Sequence, residues 1–226
     1  MKITNQTVKI LENFSTINNT IFIPASKTGT DGTLVQTGDS AKNNVVGQAV
    51  VDDVFGNDVC IADLGQFLSV LKSFSDPDVE FTPDRMIISQ GPMSAEITSG
   101  DPSVARVFKQ RLKSPEGIVS FTLKQADLKQ IINLSTVLDL PHLKIYSEDN
   151  RLYLQILKRE NESSNTTSLD MGEGTIPDNQ VFYIQREKLR MIEGDYQVSI
   201  FLTPVKSSHF KSLTHNHLEY FIALAI

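Results

Sequence analysis

Residues 13–17 read NFSTI and residues 133–137 read NLSTV, 120 positions apart in a chain of 226. A near-identical phrase at half-length spacing predicts two similar domains side by side, too few for a solenoid. The residues around it extend the repeat. In 4–18, Val8, Leu11, Phe14 and Ile17 fall on one side at spacings of three, with Asn5, Lys9, Asn13 and Thr16 opposite. This predicts a helix that Thr4 caps. One repeat later Leu128, Ile131, Ile132, Ser135 and Leu138 face inward, and Lys129, Asn133 and Thr136 face out. A second helix is expected over 63–74, on Leu64, Phe67, Leu68 and Leu71. Its counterpart follows VFYIQ, with Leu189 and Ile192 inward and Arg186 and Arg190 outward. Phe67 and Leu189 are 122 apart, close to the first offset.

Between these helices the chain reads as short strands punctuated by Gly, Asn and Asp turns, such as TIFIPA, TLVQTG, DVCIAD, RMIISQ, HLKIYSE, RLYLQILKR and LEYFIALAI. The class is α+β: two domains, each with two helices packed on antiparallel sheets. Residues 100–117 are poor in apolar side chains. Arg106, Lys109, Arg111 and Lys113 lie there with no acid among them before Glu116, which makes this the linker. The expected division is a first domain over 1–105, a connector over 106–118 and a second domain over 119–226.

A formal charge of −6 argues against a whole-surface electrostatic grip on nucleic acid, and it leaves room for a local basic face. The one cysteine, Cys60, sits between apolar neighbours and reads as a small buried hydrophobe. The alternating start is unlike a signal peptide, and no apolar run reaches the ~20 residues that span a bilayer. Together these point to a reducing cytoplasm and no membrane partner.

The sequence offers no constellation for catalysis. GTDGT at 29–33 lacks the Lys-Ser/Thr of a P-loop, and no G-x-S-x-G elbow occurs. His215 and His217, with His209 upstream, could share a metal if they lay on a strand, but a polar turn is the simpler reading. Asp52-Asp53 and Asp76-Pro77-Asp78 read as turns rather than cation sites. The chain is expected to act by shape and binding, without enzyme activity, cofactor or metal.

The outward helix faces hold Lys9, Lys72, Lys129, Arg186 and Arg190. In a duplicated fold, equivalent helices lie on the same side, so these cations suggest one face meeting phosphates without reading bases. No aromatic interleaves them, which disfavours stacking on single strands.

The stretches NFSTIN (13–18), DVCIADLGQFLSVL (58–71), GDPS (100–103), DLKQIINLSTVL (127–138), LRMIEGDYQV (189–198) and YFIALAI (220–226) occur in an order and at spacings that resemble the DNA polymerase sliding clamps, most closely those of T-even-type bacteriophages. The resemblance spans almost the whole chain. It implies the DNA clamp fold, closed as a homotrimeric ring whose helices line a hole around double-stranded DNA. Lys9, Asn13, Lys72, Lys129, Asn133, Arg186 and Arg190 would then face the DNA. The strand around Met93 and Ile97 would pair with that around Thr166, Ser168 and Met171 of the next subunit. Phe108, Leu112, Pro204, Val205, Ala225 and Ile226 would form a pocket for a partner peptide, such as the C-terminal peptide of the DNA polymerase. An ATP-dependent clamp loader and late-transcription factors are the further partners implied. Two other readings fit the residues: a monomeric processivity factor of the same fold with an open DNA-binding face, and a self-assembling phage structural protein with no DNA role.

Overall fold

A computed structural model describes residues 1–26, 32–39, 44–161 and 165–225. The chain divides into two compact units, Met1–Leu112 and Lys113–Ile226. In the first, the order is α1 (Asn5–Ile17), β1 (Ile21–Ile23), β2 (Thr33–Gly38), β3 (Val45–Val51), β4 (Val59–Ile61), α2 (Leu64–Lys72), β5 (Asp78–Phe81), β6 (Arg85–Gln90) and β7 (Met93–Thr98). β1 pairs with β4, β2 with β3, and β5-β6-β7 form a meander, all antiparallel. The second unit runs β8 (Val119–Leu123), α3 (Gln125–Val137), β9 (His142–Glu148), β10 (Arg151–Leu157), β11 (Thr167–Glu173), β12 (Phe182–Gln185), β13 (Tyr196–Phe201), β14 (Ser207–Ser212) and β15 (Glu219–Ala223). Here β11-β10-β9-β12 form one antiparallel sheet, and β8, β13, β14 and β15 pair in that order in another.

Each α-helix buries one stripe. On α1 the buried residues are Thr7, Ile10, Leu11, Phe14 and Ile17, while Val8 is only half-buried. Spacings of three drift off a 3.6-residue period, so the inner face turns from Val8 to Thr7 and Ile10. On α2 all four expected residues, Leu64, Phe67, Leu68 and Leu71, are buried. On α3 burial falls on Leu128, Ile131 and Ser135, with Ile132, Leu134 and Leu138 half-buried. The first core is aromatic: the Phe81 ring lies 5.4 Å from Phe55 and 6.2 Å from Phe67. Phe14 is fully buried and its ring rests on Gly47 of β3, where an added Cβ would come within 2.8 Å of it. The second core centres on Tyr196, edge-on to Phe210 and Tyr220 at 6.2 Å each. Burial pushes both phenols above their ordinary range.

The second helix expected in the second half is the one element that differs. Residues Arg186–Lys188 form a single 3-10 turn. At the 122-residue offset, Gln185 stands where Asp63 stands in the first unit. Asp63 accepts from the Gln66 amide and caps α2, whereas Gln185 makes no side-chain cap. The Gln66 amide and then the Asn19 side chain hold the Asp63 carboxyl below the usual range. Without a cap, and with Leu189 the one buried apolar residue between Arg186 and Glu193, the cost of nucleating a helix is not recovered.

The same asymmetry appears at the first helix of each unit. Thr4 caps α1 by accepting from the Thr7 amide. Its counterpart at the 120-residue offset, Lys124, has no capping side chain. Asp195 substitutes from the segment before β13, its Oδ1 accepting from the Gln125 amide at 2.8 Å. A carboxylate also braces α1, since Asp53, just past β3, accepts from the Thr4 amide, the Thr4 hydroxyl and the Thr7 hydroxyl. Asp53 is buried and Asp52 exposed, so this acidic pair is neither a plain turn nor a cation site.

Cys60 is buried, and burial raises its thiol above the ordinary range. Gly100, in the GDPS stretch, packs against it: an added Cβ would meet Cys60 Sγ at 2.9 Å and the Ala62 amide at 3.0 Å. Next to it Asp101 accepts from the Ser103 amide, which closes the turn out of β7.

Candidate nucleic-acid interface

In the first unit the end of α1 is tied to the start of α2. The Leu64 amide donates to the Asn19 carbonyl at 2.7 Å, and the Asn19 side chain accepts from the Gly65 amide at 2.8 Å. This fixes the two polar faces relative to each other. Lys9 is exposed on α1 and Asn13 is half-buried one turn on. Lys72, in the last turn of α2, is ion-paired with Glu12 on α1.

The second unit builds the same junction differently. Arg186 Nη1 donates to the Ser135 carbonyl at 2.7 Å, and the Arg186 amide donates to the Pro141 carbonyl at 2.8 Å. The guanidinium therefore sits on the last turn of α3, where free carbonyls collect partial negative charge. Lys129 and Asn133 are exposed on α3, and Lys129 Nζ lies 3.9 Å from Glu193. Arg190 is exposed, with its Nε donating to the Glu187 carbonyl at 2.9 Å. So the nominated residues lie on α1, α2, α3 and the 3-10 turn, with Arg190 just after that turn, and most of their cations already have partners inside the fold. Of the two counter-charges, Glu12 stands close to the outward cations in the sequence itself, and Glu193 is the one the sequence does not show. Glu12 is visible at i+3 from Lys9, whereas Glu193 meets Lys129 only through the tertiary fold.

Met93 and Ile97 lie on β7, the outer strand of its meander, and Met93 is 67% exposed. Ser168 and Met171 lie on β11, the outer strand of its own sheet, and Thr166 directly precedes it. β7 has 6 residues and β11 has 7, so the two edges are of matching length. β11 is held to β10 by a salt bridge from Arg151 to Asp170 at 2.7 Å, which lowers the Asp170 carboxyl below its usual range.

The nominated pocket residues fall in both units. Phe108 lines a 460 Å³ cavity in the first, with Phe22, Pro24, Leu34, Val50 and Val107. Two glutamines hold the connector there. Gln48 exchanges hydrogen bonds with the Leu112 amide and carbonyl at 2.9 Å each, and Gln36 donates to the Gln110 carbonyl at 3.3 Å. Nothing in the sequence marks these buried glutamines as substitutes for a strand partner. Arg106 lies over the Phe108 ring at 4.7 Å. In the second unit Ala225 lines a 450 Å³ groove with Phe182, Leu202 and Leu224, and Arg159 and Lys206 stand at it. Leu112, Pro204 and Val205 line neither space; Val205 is 64% exposed. Ile226 lies outside the described residues.

The histidines do not share a strand face. His215 and His217 lie in the turn after β14, with the His215 ring 3.2 Å from the Glu193 carbonyl. His209 is on β14, stacked on Phe221 at 4.6 Å and 3.6 Å from Glu219. Among the described residues no group of three or more His, Cys, Asp or Glu is placed to hold a metal, and no helix is long and apolar enough to cross a membrane.

The family described as gp45 sliding clamp, C terminal, matches residues 120–226. The sliding clamp of Vibrio phage KVP40 is 27% identical over 230 residues, covering 99% of this chain and 98% of that one. That of Enterobacteria phage T4 is 23% identical, covering 99% and 96%.

The chain is similar along its whole length to phage sliding clamps, and its second half matches the sliding-clamp family.

Solved structures agree on the fold. A PCNA of A. fulgidus bound to the C-terminal region of FEN-1 superposes with a TM-score of 0.72 at 12% identity, covering 100% of this chain and 97% of that one. The beta clamp of H. pylori gives a TM-score of 0.72 at 15% identity, covering 97% and 63%. Sliding clamps are processivity factors rather than enzymes. The fold class read from the sequence stands as an α+β clamp fold, with three α-helices among the described residues and a 3-10 turn at the fourth helix position.

Proposed function

We propose that three copies of this clamp close head to tail into a ring around double-stranded DNA and tether the replicative polymerase for processive synthesis. The observation that supports ring closure best is the pair of outer strands, β7 and β11, one in each unit and of matching length. An open edge exposes unpaired backbone donors and acceptors, and joining β7 of one subunit to β11 of the next continues both sheets. Such a contact is heterologous, so it must close into a ring or run on as a filament. Two units per subunit and three subunits give six copies of the α1/α3 surface facing the hole.

Encircling makes the attachment topological, so strong contacts to DNA are unnecessary. Three subunits carry a formal −18, which keeps DNA from adhering to the outside while a few cations line the inside. The DNA-facing set is Lys9, Asn13, Lys72, Lys129, Asn133, Arg186 and Arg190. Partners dock as short peptides. The 450 Å³ groove, apolar at Phe182 and Leu224 and cationic at Arg159 and Lys206, suits the apolar side chains and terminal carboxylate of a polymerase C-terminal peptide. An ATP-dependent loader opens the ring, and late-transcription factors use the same docking surface. The residues assigned to the domains, 1–105 and 119–226 with a connector over 106–118, fit this plan.

Reversing Lys9→Glu and Lys129→Glu together tests the inward placement. Both are solvent-exposed, so the subunit should keep its melting temperature. Loader-dependent synthesis on a primed circle should drop about tenfold or more, because like charge then faces phosphate from six places. Undiminished synthesis would show that α1 and α3 do not face DNA.

A further inference from the structure

Both units pair a helix cation with a carboxylate on the same polar face, and the two carboxylates are not related by the repeat. In the first unit the acid is Glu12, on α1, paired with Lys72. The position 120 residues on is Ile132, so the second unit has no equivalent. There the acid comes from the segment before β13: Glu193 lies 3.9 Å from Lys129, and Asp195 lies 4.0 Å from Lys124. The Gln125 side chain donates to Glu193 at 3.0 Å and holds it over the helix. Duplication cannot account for a feature built from unrelated positions. We propose that Glu12 and Glu193 are intramolecular substitutes for phosphate, which occupy the clamp's inner lysines and so limit how firmly it grips DNA. The proposal rests on the DNA-facing assignment of α1, α2 and α3.

The chemistry favours exchange over permanent neutralisation. The Lys72 and Lys129 side chains are 59% and 63% exposed, and Glu12 and Glu193 are 35% and 70% exposed. Ion pairs this open to water are weak and readily broken. A passing phosphate can take a lysine from its carboxylate, and the carboxylate takes it back as the phosphate moves on. Each contact then costs an internal one. Fewer counterions are released per DNA contact than the cation count predicts, which flattens the dependence of binding on salt. A clamp held by topology needs this, because a strong inner grip would oppose sliding. Lys9 has no acidic partner among the described residues, so its attraction to phosphate stands.

The experiment compares the full-length protein with Glu12→Gln/Glu193→Gln by binding to a short linear duplex across a salt series. Glutamine keeps the shape and the contact to Gln125. A second variant, Glu80→Gln/Glu148→Gln, makes the same net charge change at exposed residues on β5 and β9. A third, Lys72→Ala/Lys129→Ala, removes the cations. The expected result is about tenfold tighter binding for the first variant at low salt and a log–log salt slope steeper by ~2, with little change for the second and weaker binding for the third. If the first variant binds like wild type or like the second while the third weakens binding, the lysines do face DNA and the carboxylates do not restrain them. If the third variant also binds like wild type, the DNA-facing assignment itself fails and this inference fails with it.

Discussion

Introducing Met93→Asp and Ser168→Asp together should convert the proposed trimer into monomers of 25.1 kDa. The two residues lie on the outer strands β7 and β11, and both are exposed in the subunit, so the fold should tolerate them. In the ring they would bring two carboxylates towards each other at every one of three contacts. Like charges across a strand pair repel, and each must also give up water as the edges join. A weakening of each contact by about 1,000-fold, or ~4 kcal/mol, is expected. Native mass spectrometry at micromolar protein reads the outcome, and clamp-dependent synthesis should fall with it. A variant that remains trimeric would place the subunit contact elsewhere. A wild-type protein that is itself monomeric would favour the open-face processivity factor.

The second large effect is on stability. Asp53→Ala should destabilise the first unit by about 3 kcal/mol, while Asp52→Ala changes it little. Asp53 is 7% exposed and Thr7 fully buried, and the carboxylate accepts from two hydroxyls and the Thr4 amide at the start of α1. Truncation leaves the buried Thr7 hydroxyl without its carboxylate acceptor and removes a negative charge from the helix N-terminus, where it is favourable. Urea denaturation should show a lower midpoint at an unchanged slope. Equal midpoints for the two variants would mean that the carboxylate does not hold α1.

How far the sequence could be read depends on the range of the interaction in question. Phe14, Phe67 and Leu128 announce their helices through local apolar periodicity, and short runs between turns mark the strands. The ordered stretches from NFSTIN to YFIALAI then resolve the family. What local pattern misses is what arrives from a distance. The 3-10 turn at Arg186–Lys188 replaces a helix because Gln185 does not cap it as Asp63 caps α2. Asp195 reaches Gln125 across 70 positions to start α3, and Asp53 reaches Thr4 across 49. The pairing of Lys129 with Glu193 is of the same kind, and it sets a carboxylate beside an outward lysine. Gly100 gave no sequence signal of its role either, because its constraint is the thiol of Cys60 forty residues earlier.

The proposed attachment to DNA is by encirclement. It is tested most directly by loading the clamp onto a nicked circular duplex, removing loader and nucleotide, and measuring retention before and after one restriction cut. Encirclement predicts that the protein stays on the circle at a salt concentration that abolishes binding to short linear duplex, and that it leaves within minutes once the circle is cut. Equal retention on cut and closed circles would contradict it.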